Sequence, residues 1–412
     1  MKYKIDNNNL LNNFLIYAKI NTRSNPNNSK QIPSTNCQLD LIKILKQQLE
    51  ELNLQEVKVN PKNSYLTALL PSNTDEARPT IGFIAHLDTA DFESENVNPQ
   101  VHYNYDGKPI KFDNGLELTT TEFPNLKKFI GQTLITTDGK TLLGVDDKAG
   151  IASIISAITY LLNHPEISHG PIKIGFGPDE EIGQGAKHFD ISDFQADFAY
   201  TLDNGDIGDI EYETFNAAQA VITIQGKSVH PGQAKEGGLV NAITIGEKID
   251  SIIPQFERAE FTDNREGYYL MLNFDAKIES AELTYIIRDF DHNNFEKRKQ
   301  LIRNIVNLLN QQLDRPRINL QIEDEYYNMA DIIKKNPYTI DLAKQALINL
   351  GITPTIKAFR GGTDGSLITY QGMPTPNLFN GGDNFHGPYE FVTVEAMQAV
   401  AATIIEISHI SK

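Results

Sequence analysis

The chain has 412 residues and a formal net charge of -17, with 40% hydrophobic and 22% charged residues. This length exceeds the size at which one hydrophobic core usually stops growing, so we expect two domains, or one large domain with an insertion. The acidic charge argues against nucleic-acid binding, because phosphate contacts require clustered Lys and Arg. The segment MKYKIDNNNLLNNF lacks the apolar core of a secretory signal, and no run of about 18 apolar residues follows, so we expect a soluble, cytoplasmic protein with no membrane contact.

The first half of the sequence alternates predicted helices and strands. Residues 39–52 repeat apolar side chains at helical spacing, and short apolar runs at 64–71 and 80–88 predict strands. A polar stretch at 92–129 has no clear periodicity, and a loop of that length is uncommon unless it is functional. Residues 142–164 predict a long buried helix with acidic residues at its start, followed by two strands that each end in acidic residues. This alternation predicts an α/β fold, in which ligands collect at the ends of the strands.

The pattern changes at about Thr214 to strand, helix, strand, strand, helix and strand. This β-α-β-β-α-β order predicts a ferredoxin-like α+β unit. The chain then returns to a helix, a Gly-rich turn, a short strand and a final helix. We therefore predict that residues 214–322 form a domain inserted into a larger domain made of residues 1–213 and 323–412. Apart from the Asn-rich start, we find no internal repeat and no low-complexity linker.

Side chains that bind metals follow several of the apolar strands. They lie in AHLDT, GVDDKAG, GPDEEIG, TLDNGD and NFHGPYE and comprise His86, Asp88, Asp146, Asp147, Glu180, Glu181, Asp203 and His386. Because Cys37 is the only cysteine, a metal site must use His, Asp and Glu, and a pair of zinc ions sharing one carboxylate would explain the excess of acids. Singly, His86 is also explained as a hydrogen-bonded strand-end residue, Asp146 as a helix cap, and Glu180 and Glu181 as a solvated pair. Together they favour a metal site, because acids clustered at one sheet edge without a cation would repel one another.

These motifs, with SVHPGQAK and FRGGTDGS, resemble those of the M20 family of metallopeptidases, most closely its aminotripeptidase branch. The resemblance runs in order from about residue 10 to the carboxyl terminus, with the inserted domain where the family has it. It implies a mixed-sheet zinc-peptidase catalytic domain with an inserted lid and dimerisation domain, and a homodimer formed through that domain. It also implies two Zn ions per subunit and a short peptide substrate, a tripeptide with a free amino terminus.

The resemblance also implies a role for each matching residue. The implied metal ligands are His86 and Asp203 for one zinc, Glu181 and His386 for the other, and Asp146 as the bridge between them. Asp88 resembles the carboxylate that orients the ring of His86. Glu180 resembles the general base that takes a proton from the attacking water. Asp147 then caps or hydrogen-bonds at the start of its helix.

Three further residues resemble groups that contact the substrate. His230 of SVHPGQAK resembles a donor to the tetrahedral oxyanion, acting in the partner subunit or after domain closure; the alternative is an exposed loop histidine. Arg360 of FRGGTDGS resembles an anchor for the terminal carboxylate, and otherwise is a surface arginine. Arg288 is a weaker candidate for the same task, and a salt bridge with Asp289 or Asp291 explains it equally well.

Two alternatives to a tripeptide aminopeptidase remain open. One keeps the metals and changes the substrate to that of a dipeptidase, a carboxypeptidase or an N-acyl-amino-acid deacylase, because related chemistries share one fold. The other is a zinc- or peptide-binding protein without turnover. Glu180 argues against the second alternative, because a decayed enzyme would be expected to lose its base before its fold.

Overall fold

The computed structural model describes residues 2–203 and 205–412, which divide into two units. The first unit comprises the chain up to Tyr212, Asp331–Lys357 and Thr363–Lys412. The second comprises Glu213–Ala330 and Ala358–Gly362. Asn204, in the LDNGD motif, lies outside the described residues.

The helices and strands alternate along the first half of the chain. The helices are α1 (Asn7–Ala18), α2 (Gln38–Glu51), α3 (Val145–Asn163), α4 (Ile191–Phe194), α5 (Ala242–Ile252), α6 (His292–Gln312), α7 (Ala330–Ile333), α8 (Tyr338–Asn349), α9 (Asp364–Gln371) and α10 (Val394–Ile410). The strands are β1 (Gln55–Val59), β2 (Leu66–Leu70), β3 (Ile81–His86), β4 (Gln100–His102), β5 (Ile110–Lys111), β6 (Glu117–Leu118), β7 (Leu134–Thr136), β8 (Ile172–Gly177), β9 (Phe198–Leu202), β10 (Asp209–Thr214), β11 (Asn216–Gln225), β12 (Tyr268–Ala276), β13 (Ser280–Asp289), β14 (Ile318–Tyr326), β15 (Thr355–Phe359), β16 (Asn377–Leu378) and β17 (Phe391–Thr393).

A mixed sheet in the order β1-β2-β8-β3-β9-β16-β10-β15 runs through the first unit. Strand β3 pairs in parallel with both β8 and β9, and β9 pairs in parallel with β16. Strand β2 pairs antiparallel with β1 and β8, and β10 pairs antiparallel with β16. The carboxyl ends of the central strands therefore lie at the same edge of the sheet, and the predicted mixed-sheet α/β class is confirmed.

The centre of this sheet is buried, which explains its sequence pattern. All six residues of β3 (IGFIAH) are buried, as expected for a parallel strand that is covered on both faces. Helix α3 packs against β3, α1 and α10, and most of its residues are buried. Within the described residues, neither α3, α10 nor any other helix combines the length and apolar character needed to cross a membrane.

The Asn-rich start and the polar stretch at 92–129 differ from the sequence prediction. The Asn-rich start, predicted only as a biased segment, forms α1: the Asp6 side chain accepts hydrogen bonds from the main-chain N–H groups of Asn8 and Asn9, and Leu10, Phe14 and Tyr17 are buried at helical spacing. The polar stretch at 92–129 contains short strands and contributes five residues to a small apolar core, which Leu134 and Phe391 complete. That core comprises Tyr105, Phe112, Leu118, Leu126, Phe129, Leu134 and Phe391. Its apolar residues are too widely spaced to produce a strand or helix period.

The second unit contains an antiparallel sheet in the order β12-β13-β11-β14, against which α5 and α6 pack. This order confirms the ferredoxin-like prediction. Alternate residues of β11, from Ala218 to Ile224, face the apolar core that α6 shares through Phe295 and Ile302. Strand β14 continues to Tyr326, past residue 322, because its pairing with β11 extends to Ala217.

Replacing Gly82 with Ala is expected to destabilise the first unit, because β3 packs closely at this position. A Cβ atom at Gly82 would lie 2.5 Å from Phe194 Cε1 and 2.8 Å from Ala199 Cβ. Overpacking of this kind typically costs about 1–3 kcal/mol. The midpoint of denaturant-induced unfolding should therefore fall. Gly387→Ala is the control, since among the described residues no heavy atom outside Gly387 and its two chain neighbours lies within 4 Å of the added Cβ; equal midpoints for the two variants would contradict the prediction.

Candidate metal centre

The predicted metal ligands meet at the carboxyl edge of the mixed sheet. His86 ends β3, Asp203 follows β9, and Glu181, next to the predicted base Glu180, follows β8. The other two arrive from elsewhere in the chain: Asp146 from the start of α3, and His386 from the loop before β17. The structure thus brings all five predicted ligands together and places Glu180 among them.

Asp146 lies between the two histidines. Its Oδ1 atom is 2.8 Å from His86 Nε2, and its Oδ2 atom is 3.2 Å from His386 Nε2. His386 Nε2 is also 3.2 Å from Glu181 Oε2. A carboxylate whose two oxygens face different imidazoles has the geometry needed to be shared by two cations.

Two groups of donor atoms are compact enough to hold an ion. His86, Glu180 and Asp203 form one group, and His86, Asp146 and Glu181 form the other; within each, the ligand atoms lie within 4.8 Å of one another. Glu180, predicted as a base, therefore stands within ligand distance of His86 and Asp203. The structure by itself permits either role for this carboxylate.

Asp88 supports both sides of the cluster. Its main-chain oxygen is 3.0 Å from His86 Nδ1, so that nitrogen donates to it and Nε2 faces the carboxylates. Its side chain, fully buried, accepts the main-chain N–H groups of Glu180 at 2.9 Å and Glu181 at 3.1 Å. The resemblance implied that the carboxylate of Asp88 orients the His86 ring; the main-chain oxygen makes the hydrogen bond instead, and the carboxylate Oδ1 atom lies 3.4 Å from the same nitrogen. The hydrogen bonds that Asp88 accepts from the Glu180–Glu181 turn were not predicted.

The cluster concentrates negative charge in a buried place. Burial, together with neighbouring carboxylates, raises the pKa of Glu180, Glu181 and Asp203. Burial opposes ionisation of Asp146 as well, but hydrogen bonds with His386 and His86 lower its pKa. The hydrogen bonds with Asp146 and Glu181 in turn raise the pKa of His386 to about 10. A divalent cation among these groups would offset the repulsion between the carboxylates.

Further residues hold the ligand-bearing segments, and the sequence prediction missed them. The carboxylate of Asp179 accepts the main-chain N–H of Ser34 at 2.7 Å and the Gln38 amide at 2.7 Å, which fastens the PDEE turn to the start of α2. The Asn377 side chain accepts the N–H of Asp203 at 3.1 Å and donates to the main-chain oxygen of the same residue. Asp179 adjoins Glu180 in a quoted motif and could have been suspected, but Asn377 carries no local signal.

The other predicted acid, Asp147, caps α3 as expected. Its Oδ1 atom accepts the main-chain N–H of Gly150 at 3.2 Å. The Asn380 amide lies 3.3 Å from the same oxygen. Asp146 and Asp147 both have non-helical backbone angles, so the regular turns of α3 begin only after Asp147.

His230 and Arg360 belong to the second unit. His230 is exposed in the loop after β11, and its Nδ1 atom accepts the N–H of Gly232 at 3.2 Å. Arg360 Nη1 donates to the main-chain oxygens of Asn264 at 3.0 Å and Glu266 at 2.9 Å. The Arg360 guanidinium also lies 5.4 Å from the centre of the Tyr268 ring, so contacts within this unit hold it in place.

Arg288, at the end of β13, has a partner that the sequence did not indicate. Its Nη2 atom lies 2.9 Å from Glu325 Oε2. The two acids proposed as alternatives have other roles: Asp289 pairs with Arg298 at 2.8 Å, and Asp291 caps α6. The alternative of a salt bridge with Asp289 or Asp291 is therefore wrong. Glu325 lies on β14, which is separated from β13 by β11 in the sheet, and the long Arg288 side chain reaches it across that strand.

A mixed sheet with histidine and carboxylate donors at its strand ends, joined to a ferredoxin-like unit, is the architecture of a metallopeptidase. The chain belongs to peptidase family M20/M25/M40, whose model matches residues 133–409. Over 96% of its length it is 52% identical to peptidase T of Fusobacterium nucleatum subsp. nucleatum, 95% of which is covered. Its fold is similar to aminopeptidase PepT from Bacillus cereus (TM-score 0.78) and to a tripeptidase from Staphylococcus aureus (TM-score 0.77), each 23% identical and matched over 98% of both chains. These comparisons confirm the family resemblance drawn from the motifs.

Proposed function

We propose that the chain is a zinc-dependent aminopeptidase that removes the amino-terminal residue from tripeptides. The observation that supports this proposal most directly is the position of Asp146, whose two carboxylate oxygens face His86 on one side and His386 on the other. The 52% identity to a peptidase T, over nearly the whole of both chains, supports the substrate class. The fold likeness to an aminopeptidase and a tripeptidase agrees with it.

The residues present fit two zinc ions per subunit. Imidazole nitrogens and carboxylate oxygens are zinc ligands. Among the described residues, the buried Glu181 Oε1 atom has no hydrogen-bond partner, and a cation would satisfy it. The ligand set proposed is His86 and Asp203 for one ion, Glu181 and His386 for the other, and Asp146 for both. When bound, such ions lower the pKa of water to near neutrality.

Glu180 is proposed as the general base. Its main-chain N–H is held by Asp88, so its carboxylate is presented from a fixed turn beside His86 and Asp203. From there it takes a proton from the attacking water and passes it to the leaving amine. Asp88 acts by orienting both His86 and this turn.

Residues of the second unit are proposed to recognise the peptide. Because Nδ1 of His230 accepts a hydrogen bond, the neutral ring carries its proton on Nε2, which suits a donor to the oxyanion. Arg360 is the favoured carboxylate anchor, since no carboxylate within the described residues pairs with it. Arg288 is the weaker candidate, because Glu325 already neutralises its charge. We also propose that the second unit serves as the lid and as the dimer interface.

The expected result with the peptide Leu-Gly-Gly is release of leucine and Gly-Gly. Acetyl-Leu-Gly-Gly and Leu-Gly-Gly amide serve as matched controls, because each removes one terminal charge and leaves the scissile bond in place. Both should be cleaved at least about tenfold more slowly, since a lost charge-assisted hydrogen bond costs about 1.5–3 kcal/mol. Chromatography of the products shows whether the residue released comes from the amino or the carboxyl end of the peptide. Preference for acetylated amino acids, or release of glycine from the carboxyl end, would favour the other M20 activities.

A further inference from the structure

A buried carboxylate beside the metal centre, Glu390, has no role assigned by the family resemblance. It ends the NFHGPYE motif and is 1% exposed. Its Oε2 atom accepts the main-chain N–H groups of Leu143 at 2.6 Å and Gly144 at 2.8 Å. Its Oε1 atom accepts the main-chain N–H of Asp146 at 3.1 Å. One side chain therefore binds the whole turn that leads into the shared carboxylate.

Glu390 also belongs to the loop that carries His386. Asp383 and Phe391 close this loop by exchanging main-chain hydrogen bonds of 3.0 and 3.1 Å. The N–H of Glu390 donates to the oxygen of Gly387 at 3.3 Å. The base of the His386 loop and the turn before Asp146, which are far apart in sequence, are thus joined through a single residue.

We propose that Glu390 is a positioning residue that sets the placement of Asp146 relative to His386. The inference rests on the proposed function, in which both residues bind metal. The effect of Glu390 passes through the main chain of Asp146, whose N–H group it accepts. Replacing a residue that orients a metal ligand without binding the metal itself typically weakens metal binding about 10- to 100-fold.

The chemistry of the turn requires a carboxylate at this position. Three N–H donors converge on two oxygens, and both oxygens of a carboxylate accept. The amide of glutamine keeps one acceptor and turns an NH₂ group toward the N–H of Asp146 or toward those of Leu143 and Gly144. Glu390→Gln therefore preserves the shape of the side chain but places its NH₂ donor against a main-chain N–H donor. The repulsion between the two donors displaces the turn.

The test is zinc affinity, measured by competition with a chromophoric chelator on the full-length wild type and the E390Q variant. E390Q should bind zinc about 10- to 100-fold more weakly, and kcat for Leu-Gly-Gly should fall more than KM changes. The matched control is Glu406→Gln, which removes another fully buried carboxylate, bonded to Lys2 and Asn349. It should lower the unfolding midpoint and leave zinc affinity unchanged.

The outcomes separate this inference from the proposed function. A folded E390Q that binds zinc as tightly as the wild type would overturn the positioning role, while leaving the peptidase proposal intact. A wild type that binds no zinc would overturn both. Should E390Q fail to fold, Glu390→Asp provides the second variant, because it keeps two acceptors but shortens their reach. Weaker zinc binding by that variant than by the wild type and Glu406→Gln supports the role, and equal binding overturns it.

Discussion

Glu180→Gln is expected to lower kcat for Leu-Gly-Gly by about a hundredfold to ten-thousandfold, with zinc content unchanged. The variant keeps the size of the side chain and its main-chain hydrogen bond to Asp88, but it cannot accept a proton. Removal of a positioned general base typically has an effect of this size. The prediction is checked by steady-state kinetics and by metal analysis on the same preparation.

The adjacent residue supplies a matched control. Glu181 lies in the same turn and is held by the same Asp88 carboxylate, but its own carboxylate is 3.2 Å from His386. Glu181→Gln should therefore lose zinc as well as activity. If Glu180→Gln loses zinc instead, Glu180 is a ligand of the group formed with His86 and Asp203, and the proton acceptor must be another residue.

Asp146→Asn should remove zinc from both positions and abolish measurable hydrolysis. The two oxygens of Asp146 face different histidines, and an amide offers only one acceptor, so neither ion keeps its full ligand set. Metal that binds only the folded state stabilises it, so a chelator should lower the unfolding temperature of the wild type. The same chelator should leave the unfolding temperature of Asp146→Asn nearly unchanged.

Asp147→Asn is the control for this second experiment. Asp147 is fully buried next to Asp146, but its Oδ1 atom caps the N–H of Gly150, which an amide oxygen can also accept. We expect this variant to retain zinc and its response to the chelator. Two zinc ions bound by Asp146→Asn with wild-type affinity would show that the carboxylate is not shared.

Much of the fold followed from local pattern. The run IGFIAH predicted a strand because consecutive apolar residues suit a position buried on both faces, and β3 is buried throughout. The period changes after Thr214 were sufficient to predict the ferredoxin-like unit, because each of its elements has a distinct local period. Strand β10 and helix α9 were not predicted, since one carries acidic residues and the other begins in a Gly-rich turn, and their burial depends on distant partners.

The sequence by itself determined which side chains are available for chemistry, where the strands end and which family the chain belongs to. Residue types are given by the sequence, and local periodicity involves only residues that are close along the chain, so both can be read directly from the sequence. The tertiary structure alone decided that Asp146 faces His86 with one oxygen and His386 with the other. It also decided that Glu390 binds the turn that precedes Asp146, and that Arg288 pairs with Glu325. These contacts depend on the order of strands in the sheets and on the closure of loops, which bring together residues that share no local pattern.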